Sequence, residues 1–232
     1  MRAKVWIGLI GMGSLAGAAA GHGEGDIGLL WNGSSIITAV ANDEDGSFAH
    51  LGEFVFAADL TDVGGGLIGG DAPGFFTTDG PTNPVGAFDV GTVLSYQTMG
   101  ALRAWNGSDF SAIAGPRLAQ DAQGQTILTP LTDTVVDGFG WTYTGGAFDN
   151  HPDYALIDPE VGIFLWEIRF TATAASGAEL DTTESVFVVF NNGLSELEHE
   201  AAIEWVETNL PAPGALALLG MGGALAARQR RA

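Results

Sequence analysis

The sequence contains no cysteine among its 232 residues. Thiol catalysis, thiolate zinc sites and iron–sulfur clusters are therefore excluded, because each of them requires a cysteine sulfur. The absence of disulfide bonds does not argue against export from the cell. A domain of this length can be stabilised by its hydrophobic core alone.

Basic residues are also scarce, with eight Lys and Arg against 28 Asp and Glu. Residues 21–210 retain only Arg103, Arg117 and Arg169 and contain no lysine, so the net charge of this segment is 3 − 28 = −25. Such a surface repels phosphate backbones, and nucleic-acid binding through a basic patch is excluded. The natural counterparts are cations, either as diffuse counterions of an acidic shell or as specifically bound divalent ions.

The first 20 residues lack an apolar run long enough for a typical membrane span. They have a basic start, an apolar stretch from Val5 to Leu15 and a series of small residues at the end. This pattern predicts a secretory signal peptide over residues 1–20, with Ala18, Ala20 and Gly21 in the cleavage region, and export through Sec-type machinery. An uncleaved anchor helix is the alternative interpretation.

The C-terminal segment, residues 211–232, has three parts in order. A Pro-x-Pro-Gly start precedes an apolar stretch over residues 215–227, and arginines close the chain. Thirteen helical residues rise only about 20 Å, which makes this a marginal membrane span. The residues of the predicted signal are Pro211, Ala212, Pro213, Gly214, Arg228, Arg230 and Arg231.

This tail resembles the PEP-CTERM sorting signal of exported bacterial proteins, with Ala212 in the position of the usual Glu. The resemblance implies an exosortase-like processing enzyme as a partner. It also implies transient anchoring in the membrane by the tail, followed by release to the cell surface or extracellular matrix. Such tails accompany many otherwise unrelated bodies, often in bacteria that make extracellular polysaccharide.

The remaining body, residues 21–210, is rich in glycine and contains short β-branched and aromatic runs between turn residues. This pattern predicts one all-β domain, an antiparallel β-sandwich of the jelly-roll or immunoglobulin-like type. We expect nine strands, at residues 27–31, 35–41, 53–60, 90–96, 102–105, 125–128, 134–144, 162–173 and 185–190. Strand 162–173 is expected to be long and central, with strand 185–190 as its buried partner.

One amphipathic helix is predicted near the end of the body. Ser195 and Glu198 have the spacing of a capping box. The predicted apolar stripe runs through Leu197, Ala201 and Trp205 and later through Val206 and Leu210. The helix is expected to pack on the sandwich and to precede the apolar tail helix. His199 is expected on its exposed face.

Two loops resemble ion-binding motifs only in part. Residues 64–70 are glycine-rich and predict a flexible loop, but no lysine follows, so a phosphate-binding loop is excluded. Residues 42–47 have the Asp-x-Asp-Gly core of a calcium loop, although Gly52 stands where a closing glutamate would be needed. A polar hairpin turn is the preferred interpretation of this segment.

The candidate metal ligands are His22, His151, Asp149 and Asp153. Cleavage after Gly21 would make His22 the N-terminal residue, whose amine and imidazole can chelate a divalent ion. His151 lies in a turn between Asp149 and Asp153 and can join the same site if the fold brings the two histidines together.

No catalytic residue is predicted, since a Gly-x-Ser-x-Gly elbow is missing and carboxylate pairs are unavoidable among 28 acidic residues. The leading hypothesis is a non-enzymatic envelope or matrix protein with a structural, adhesive or polysaccharide-associated body and no required cofactor. The alternative is an exported protein that binds a divalent metal ion, and a secreted hydrolase is a third hypothesis.

Overall fold

The computed structural model describes residues 25–42, 44–180 and 183–210. The predicted signal peptide, His22 and the predicted sorting tail lie outside the described residues. The described ranges contain the following strands: β1 (Asp26–Trp31), β2 (Ile36–Asn42), β3 (Ser47–Ala49), β4 (Val55–Asp59), β5 (Thr61–Gly64), β6 (Leu67–Gly70), β7 (Phe75–Thr77), β8 (Val93–Thr98), β9 (Arg103–Ala104), β10 (Ala112–Ile113), β11 (Arg117–Ala122), β12 (Gln125–Leu128), β13 (Val136–Thr142), β14 (Phe148–Asn150), β15 (Asp153–Ile157), β16 (Gly162–Thr173) and β17 (Val186–Asn192). Helix α1 (Glu196–Asn209) follows β17.

The strands form three sheets. A central sheet has the order β10-β9-β16-β17-β4, with β8 also paired to β16 and β13 paired to β8. A rim sheet has the order β14-β7-β1-β2-β3, and a third sheet has the order β12-β11-β15-β6-β5. The prediction of a mostly β body is confirmed, but the prediction of purely antiparallel pairing is wrong. Strand β1 pairs parallel with β7, and β17 pairs parallel with β4. Long connections separate the partners of both pairs, as parallel pairing requires.

Strand β16 has the central position that its sequence predicts. It pairs antiparallel with β17 over residues 162–168 and with β8 over residues 168–173. Ile168 and Phe170 are buried, whereas Glu167 and Arg169 on the opposite face are partly exposed. Every residue of β17 is buried, as the apolar run 186–190 predicts for the first five, and the two asparagines that end the strand are buried as well.

Aromatic rings from all three sheets meet in the core. Trp166 of the central sheet is fully buried, and its ring centroid lies 5.6 Å from that of Tyr96 and 5.8 Å from that of Tyr154 of the third sheet. Its indole N–H donates a hydrogen bond of 3.1 Å to Thr98 Oγ1. Phe75 of the rim sheet lies 5.3 Å from Tyr96, so that the sheets share one apolar interior.

Helix α1 begins with the predicted capping box. The Ser195 hydroxyl accepts from the backbone N–H of Glu198, and the Glu198 carboxylate accepts from the backbone N–H of Ser195. The predicted apolar stripe is correct only in its second half: Val206 is buried and Trp205 and Leu210 are partly buried, but Ala201 is exposed and Leu197 is 81% exposed. The buried face consists of His199, Ala202, Ile203 and Val206, which pack against the central sheet.

His199 is therefore buried rather than exposed as predicted. Its Nε2 atom lies 3.1 Å from the Val189 carbonyl oxygen of β17, to which it donates a hydrogen bond. A strand carbonyl thus satisfies the imidazole, so a polar residue can occupy the buried face of the helix.

Among the described residues, no helix has the length and apolarity needed to cross a membrane.

Two turn predictions have different outcomes. The predicted polar turn at residues 42–47 is confirmed as the β2–β3 hairpin, in which Asp45 accepts a hydrogen bond from the backbone N–H of Ser47. The predicted flexible loop at residues 64–70 is instead the β5–β6 hairpin, whose second strand pairs with β15. Gly69 is required there because a Cβ atom would overlap the Tyr154 carbonyl oxygen.

Candidate functional site

Two carboxylates and an imidazole meet at one end of the rim sheet. Asp26 begins β1, Asp149 lies in β14, and His151 directly follows β14. Strand β7 lies between them, parallel to β1 and antiparallel to β14. The start of β1 and the end of β14 therefore reach the same edge of the sheet.

The three side chains face one another within ligand distance. His151 Nε2 lies 3.2 Å from Asp26 Oδ2 and 3.0 Å from Asp149 Oδ1. One donor atom from each residue lies within 4.8 Å of the other two. The side chain of Asp26 is only 8% exposed, whereas those of Asp149 and His151 are partly open to solvent.

The second ring nitrogen fixes the tautomer of His151. Its Nδ1 atom lies 3.0 Å from the Asp71 carbonyl oxygen, which can only accept a hydrogen bond. Nδ1 therefore carries a proton, and the lone pair of a neutral ring points from Nε2 toward the two carboxylates. A proton shared among these three acceptor atoms, on Nε2 or on a carboxyl group, or a bound cation relieves their mutual repulsion at these distances.

The surroundings of His151 raise its affinity for positive charge. Burial by itself lowers the pKa of the imidazole, but the hydrogen bond to the Asp71 carbonyl and the charges of Asp26, Asp149 and Asp71 have the opposite effect. The net result is a pKa above the ordinary value for histidine. The same negative field attracts a metal cation.

Gly74, the residue before β7, contacts both Asp26 and His151. Its backbone N–H donates a 2.7 Å hydrogen bond to Asp26 Oδ1, which fixes the orientation of the buried carboxylate. The His151 ring lies directly over Gly74, so closely that a Cβ atom there would be only 2.7–2.8 Å from the ring atoms. The preceding residue, Pro73, accepts a 2.9 Å hydrogen bond from the buried Tyr154 hydroxyl, which anchors this loop to the core.

A cleft of about 260 Å³ opens beside the site. Asp26 and His151 form part of its wall, and the β2–β3 hairpin forms the opposite side. Its lining residues are Gly25, Asp26, Val40, Ala41, Asn42, Ser47, Ala49 and His151. A small ion or ligand can therefore approach the buried carboxylate from solvent.

The donor set fits a divalent transition-metal ion better than calcium. One imidazole nitrogen with two carboxylate oxygens suits Zn²⁺ and similar ions, whereas Ca²⁺ takes six to eight oxygen ligands. Bonds of about 2.0–2.1 Å around a tetrahedral ion separate neighbouring ligand atoms by about 3.3 Å. The distances of 3.0 and 3.2 Å from Nε2 to the two carboxylates are close to this value.

The structure brings together two of the four predicted ligands. Asp149 and His151 belong to the cluster, while Asp153 is exposed in β15 opposite Asp121 and does not belong to it. His22 lies outside the described residues. Asp26 was missed by sequence reasoning, although an acidic residue at the head of the apolar strand β1 is an unusual feature that could have drawn attention to it.

No protein-family model matches the chain, and no curated protein matches it significantly.

Proposed function

We propose that this chain is an exported protein of the cell envelope or extracellular matrix whose non-enzymatic β-rich body binds a divalent transition-metal ion. The observation that carries the metal-binding role is the convergence of Asp26, Asp149 and His151 at one edge of the rim sheet. The ion takes the place between Nε2 and the two carboxylates, where the tautomer of His151 leaves three acceptors facing one another.

The proposed location rests on the two ends of the sequence. The signal-like residues 1–20 support export, and the PEP-CTERM-like tail supports processing by an exosortase-like enzyme and transfer to the cell surface. The strongly acidic body is suited to an extracellular medium that contains cations. Within the envelope, we propose a structural, adhesive or polysaccharide-associated role for the body.

Zinc titration of the mature exported protein tests the metal site. Zn²⁺ at 100 times its dissociation constant should raise the free energy of unfolding by about 2.7 kcal/mol through mass action. Isothermal titration calorimetry gives the affinity and stoichiometry, and urea denaturation gives the stability. Asp149→Asn and Asp26→Asn should each weaken zinc binding at least about tenfold, since each removes a charged ligand.

Asp153→Asn is the matched control for Asp149→Asn. It makes the same change of charge four residues away, on an exposed side chain outside the cluster. Zinc affinity should remain within about twofold of wild type in this variant. Equal losses in both variants would show that zinc binds diffusely to the acidic surface, and the proposed site would be wrong.

The polysaccharide association has a separate test. Purified protein is passed over immobilised extracellular polysaccharides, and the soluble phase is analysed for released sugars. Retention without release supports a binding role, whereas steady release of oligosaccharides would contradict the non-enzymatic proposal.

A further inference from the structure

We infer that Tyr154 is a positioning residue for the metal site. Its hydroxyl fixes the peptide group between Pro73 and Gly74, and that peptide group orients the Asp26 carboxylate toward the ion. The inference rests on the metal-binding function proposed above. It adds a residue of the core, outside the cluster of ligands, whose hydroxyl sets how tightly the ion is bound.

The site lies where two chain connections pass side by side between the third sheet and the rim sheet. Residues 71–74 lead from β6 to β7, and residues 151–152 lead from β14 to β15. Strand β15 pairs with β6, and Tyr154 stands opposite Gly70, the last residue of β6. This pairing places the Tyr154 hydroxyl within reach of the loop 71–74.

Two hydrogen bonds meet at a single peptide group of that loop. The Tyr154 hydroxyl donates a 2.9 Å hydrogen bond to the Pro73 carbonyl oxygen. The N–H of the same peptide group, that of Gly74, donates a 2.7 Å hydrogen bond to Asp26 Oδ1. A peptide group whose carbonyl accepts a hydrogen bond donates more strongly through its N–H, because the two bonds polarise one another. The hydroxyl therefore acts on the carboxylate through one peptide unit.

The surroundings of Tyr154 keep this donor in place. Tyr154 is 2% exposed, and the centroid of its ring lies 5.8 Å from that of Trp166 and 5.4 Å from that of Phe190. Burial raises the pKa of the hydroxyl well above its ordinary value, and the nearby Tyr96 and Asp26 act in the same direction. The hydroxyl thus keeps its proton, and the close packing of the ring fixes the direction of the hydrogen bond.

The orientation of Asp26 matters because its two oxygen atoms have different partners. Oδ1 accepts from the Gly74 N–H, while Oδ2 lies 3.2 Å from His151 Nε2 and faces the position of the ion. Without the Tyr154 hydroxyl, the buried Pro73 carbonyl loses its hydrogen bond and the peptide group can tilt. The carboxylate then loses its fixed direction, and outer partners of this kind typically account for about 10–100-fold in metal affinity.

The zinc affinity of the mature exported protein tests the inference. It is measured by competition with a chromophoric chelator for wild type and for Tyr154→Phe, which removes only the hydroxyl and keeps the ring. The same substitution is made in the Asp26→Asn and Asp149→Asn backgrounds. Tyr143→Phe is the matched control, because the buried Tyr143 hydroxyl also donates to a backbone carbonyl, that of Gly146, outside the cluster.

We expect Tyr154→Phe to weaken zinc binding about tenfold or more in the wild-type and Asp149→Asn backgrounds. In the Asp26→Asn background, where the carboxylate is already removed, the same substitution should change the affinity by less than about twofold. Tyr143→Phe should match wild type. Urea denaturation of each variant establishes that the measured affinities refer to folded protein.

Nuclear magnetic resonance follows the two hydrogen bonds directly. The Gly74 amide proton of metal-free Tyr154→Phe should move upfield relative to wild type, because its hydrogen bond to Asp26 is weakened. In wild type, saturating Zn²⁺ should shift both this proton and the hydroxyl proton of Tyr154, since the ion draws charge from the carboxylate. If Tyr154 only stabilises the fold, neither shift should occur.

Three results would overturn the inference. They are an unchanged zinc affinity in Tyr154→Phe, an equal loss of affinity in the Asp26→Asn background, and an unchanged Gly74 amide proton in Tyr154→Phe. If Asp26→Asn and Asp149→Asn weaken zinc binding but Tyr154→Phe does not, only this inference fails. If neither aspartate variant changes zinc binding, the proposed metal-binding function itself is wrong, and this inference fails with it.

Discussion

The core around Trp166 and the site around His151 are built in opposite ways. Trp166 lies in a 12-residue strand that pairs with β8 and with the buried strand β17, and it is fully buried among aromatic rings. The site lies at the edge of the rim sheet, where the three-residue strands β7 and β14 bring charged residues together. Apolar burial is thus concentrated in the interior that the three sheets share, whereas the candidate chemistry depends on a few short-range contacts at one end of the rim sheet.

The largest expected effect comes from Trp166→Ala. Removing this side chain leaves a cavity between Tyr96, Tyr154 and Phe190 and should lower the free energy of unfolding by about 3–5 kcal/mol. Urea denaturation followed by circular dichroism measures the loss. If the two regions are independent, zinc affinity of the folded fraction should match wild type. A parallel loss of zinc affinity would show that core and site are coupled.

Gly74→Ala should reduce zinc affinity strongly and stability only slightly, the reverse of the effects expected for Trp166→Ala. The added methyl group occupies the space of the His151 ring and displaces it from the two carboxylates, so zinc affinity should fall about tenfold or more. The ring is partly exposed and can move outward, so the loss of stability should be smaller than in Trp166→Ala. Calorimetric titration and urea denaturation measure the two quantities.

Gly140→Ala serves as the control for this substitution. Its Cβ atom would lie at least 3.5 Å from its neighbours, in ordinary van der Waals contact and away from the site. Zinc affinity should be unchanged. A Gly74→Ala protein that binds zinc as wild type does would show that the close packing of the ring on β7 is not needed for the site.

Ser195→Ala tests the helix that follows the central sheet. Loss of the N-cap should lower stability by about 1 kcal/mol near neutral pH. Hydrogen bonds from the side chain and backbone of Ser195 lower the pKa of Glu198 below its ordinary value. The ionised carboxylate therefore contributes stability above the unfolded-state pKa of about 4.3, and this contribution disappears as the pH falls through the lower folded-state pKa.

The stability difference between wild type and Ser195→Ala should consequently narrow below about pH 4. Denaturation series at several pH values measure it, with Glu196→Gln as a control for a neighbouring first-turn carboxylate outside the capping box. A difference that stays constant down to pH 2 would indicate that the carboxylate takes no part in the cap.

Leu197→Ala should have the smallest effect. Leu197 is 81% exposed, so its truncation should change stability by less than about 0.5 kcal/mol. Ile203→Ala on the buried face should cost about 2–5 kcal/mol by comparison. Equal losses of stability in the two variants would indicate that Leu197 is buried, as the sequence predicted, and would contradict the helix orientation in the structure.

Sequence patterns predicted the central region more fully than the rim. All nine predicted strands occur, including β16 and its buried partner β17, because long apolar runs and regular alternation leave few alternatives. Eight further strands among the described residues were missed. Most of these are short or glycine-rich, as in β6 and β7, and are held in place by pairing with distant segments rather than by their own periodicity.

For helix α1 too, local sequence predicted the position of the element but not which of its sides is buried. Capping chemistry is local, so Ser195 and Glu198 identified the start of the helix. Which side of the helix is buried depends on its partner surface. The Val189 carbonyl of β17 offers a hydrogen bond to His199, which allows a histidine to lie inside and leaves Leu197 outside.

The sequence by itself determined the acidic, cysteine-free composition, the predominance of β-structure, the central strand pair and the capped helix. These properties depend on composition and on periodicity over neighbouring residues. Only the tertiary structure decided that Asp26 belongs with Asp149 and His151, because 122 residues separate the two aspartates and β7 lies between their strands. No local pattern encodes the parallel pairing of β1 with β7, and that pairing places the carboxylate beside the imidazole.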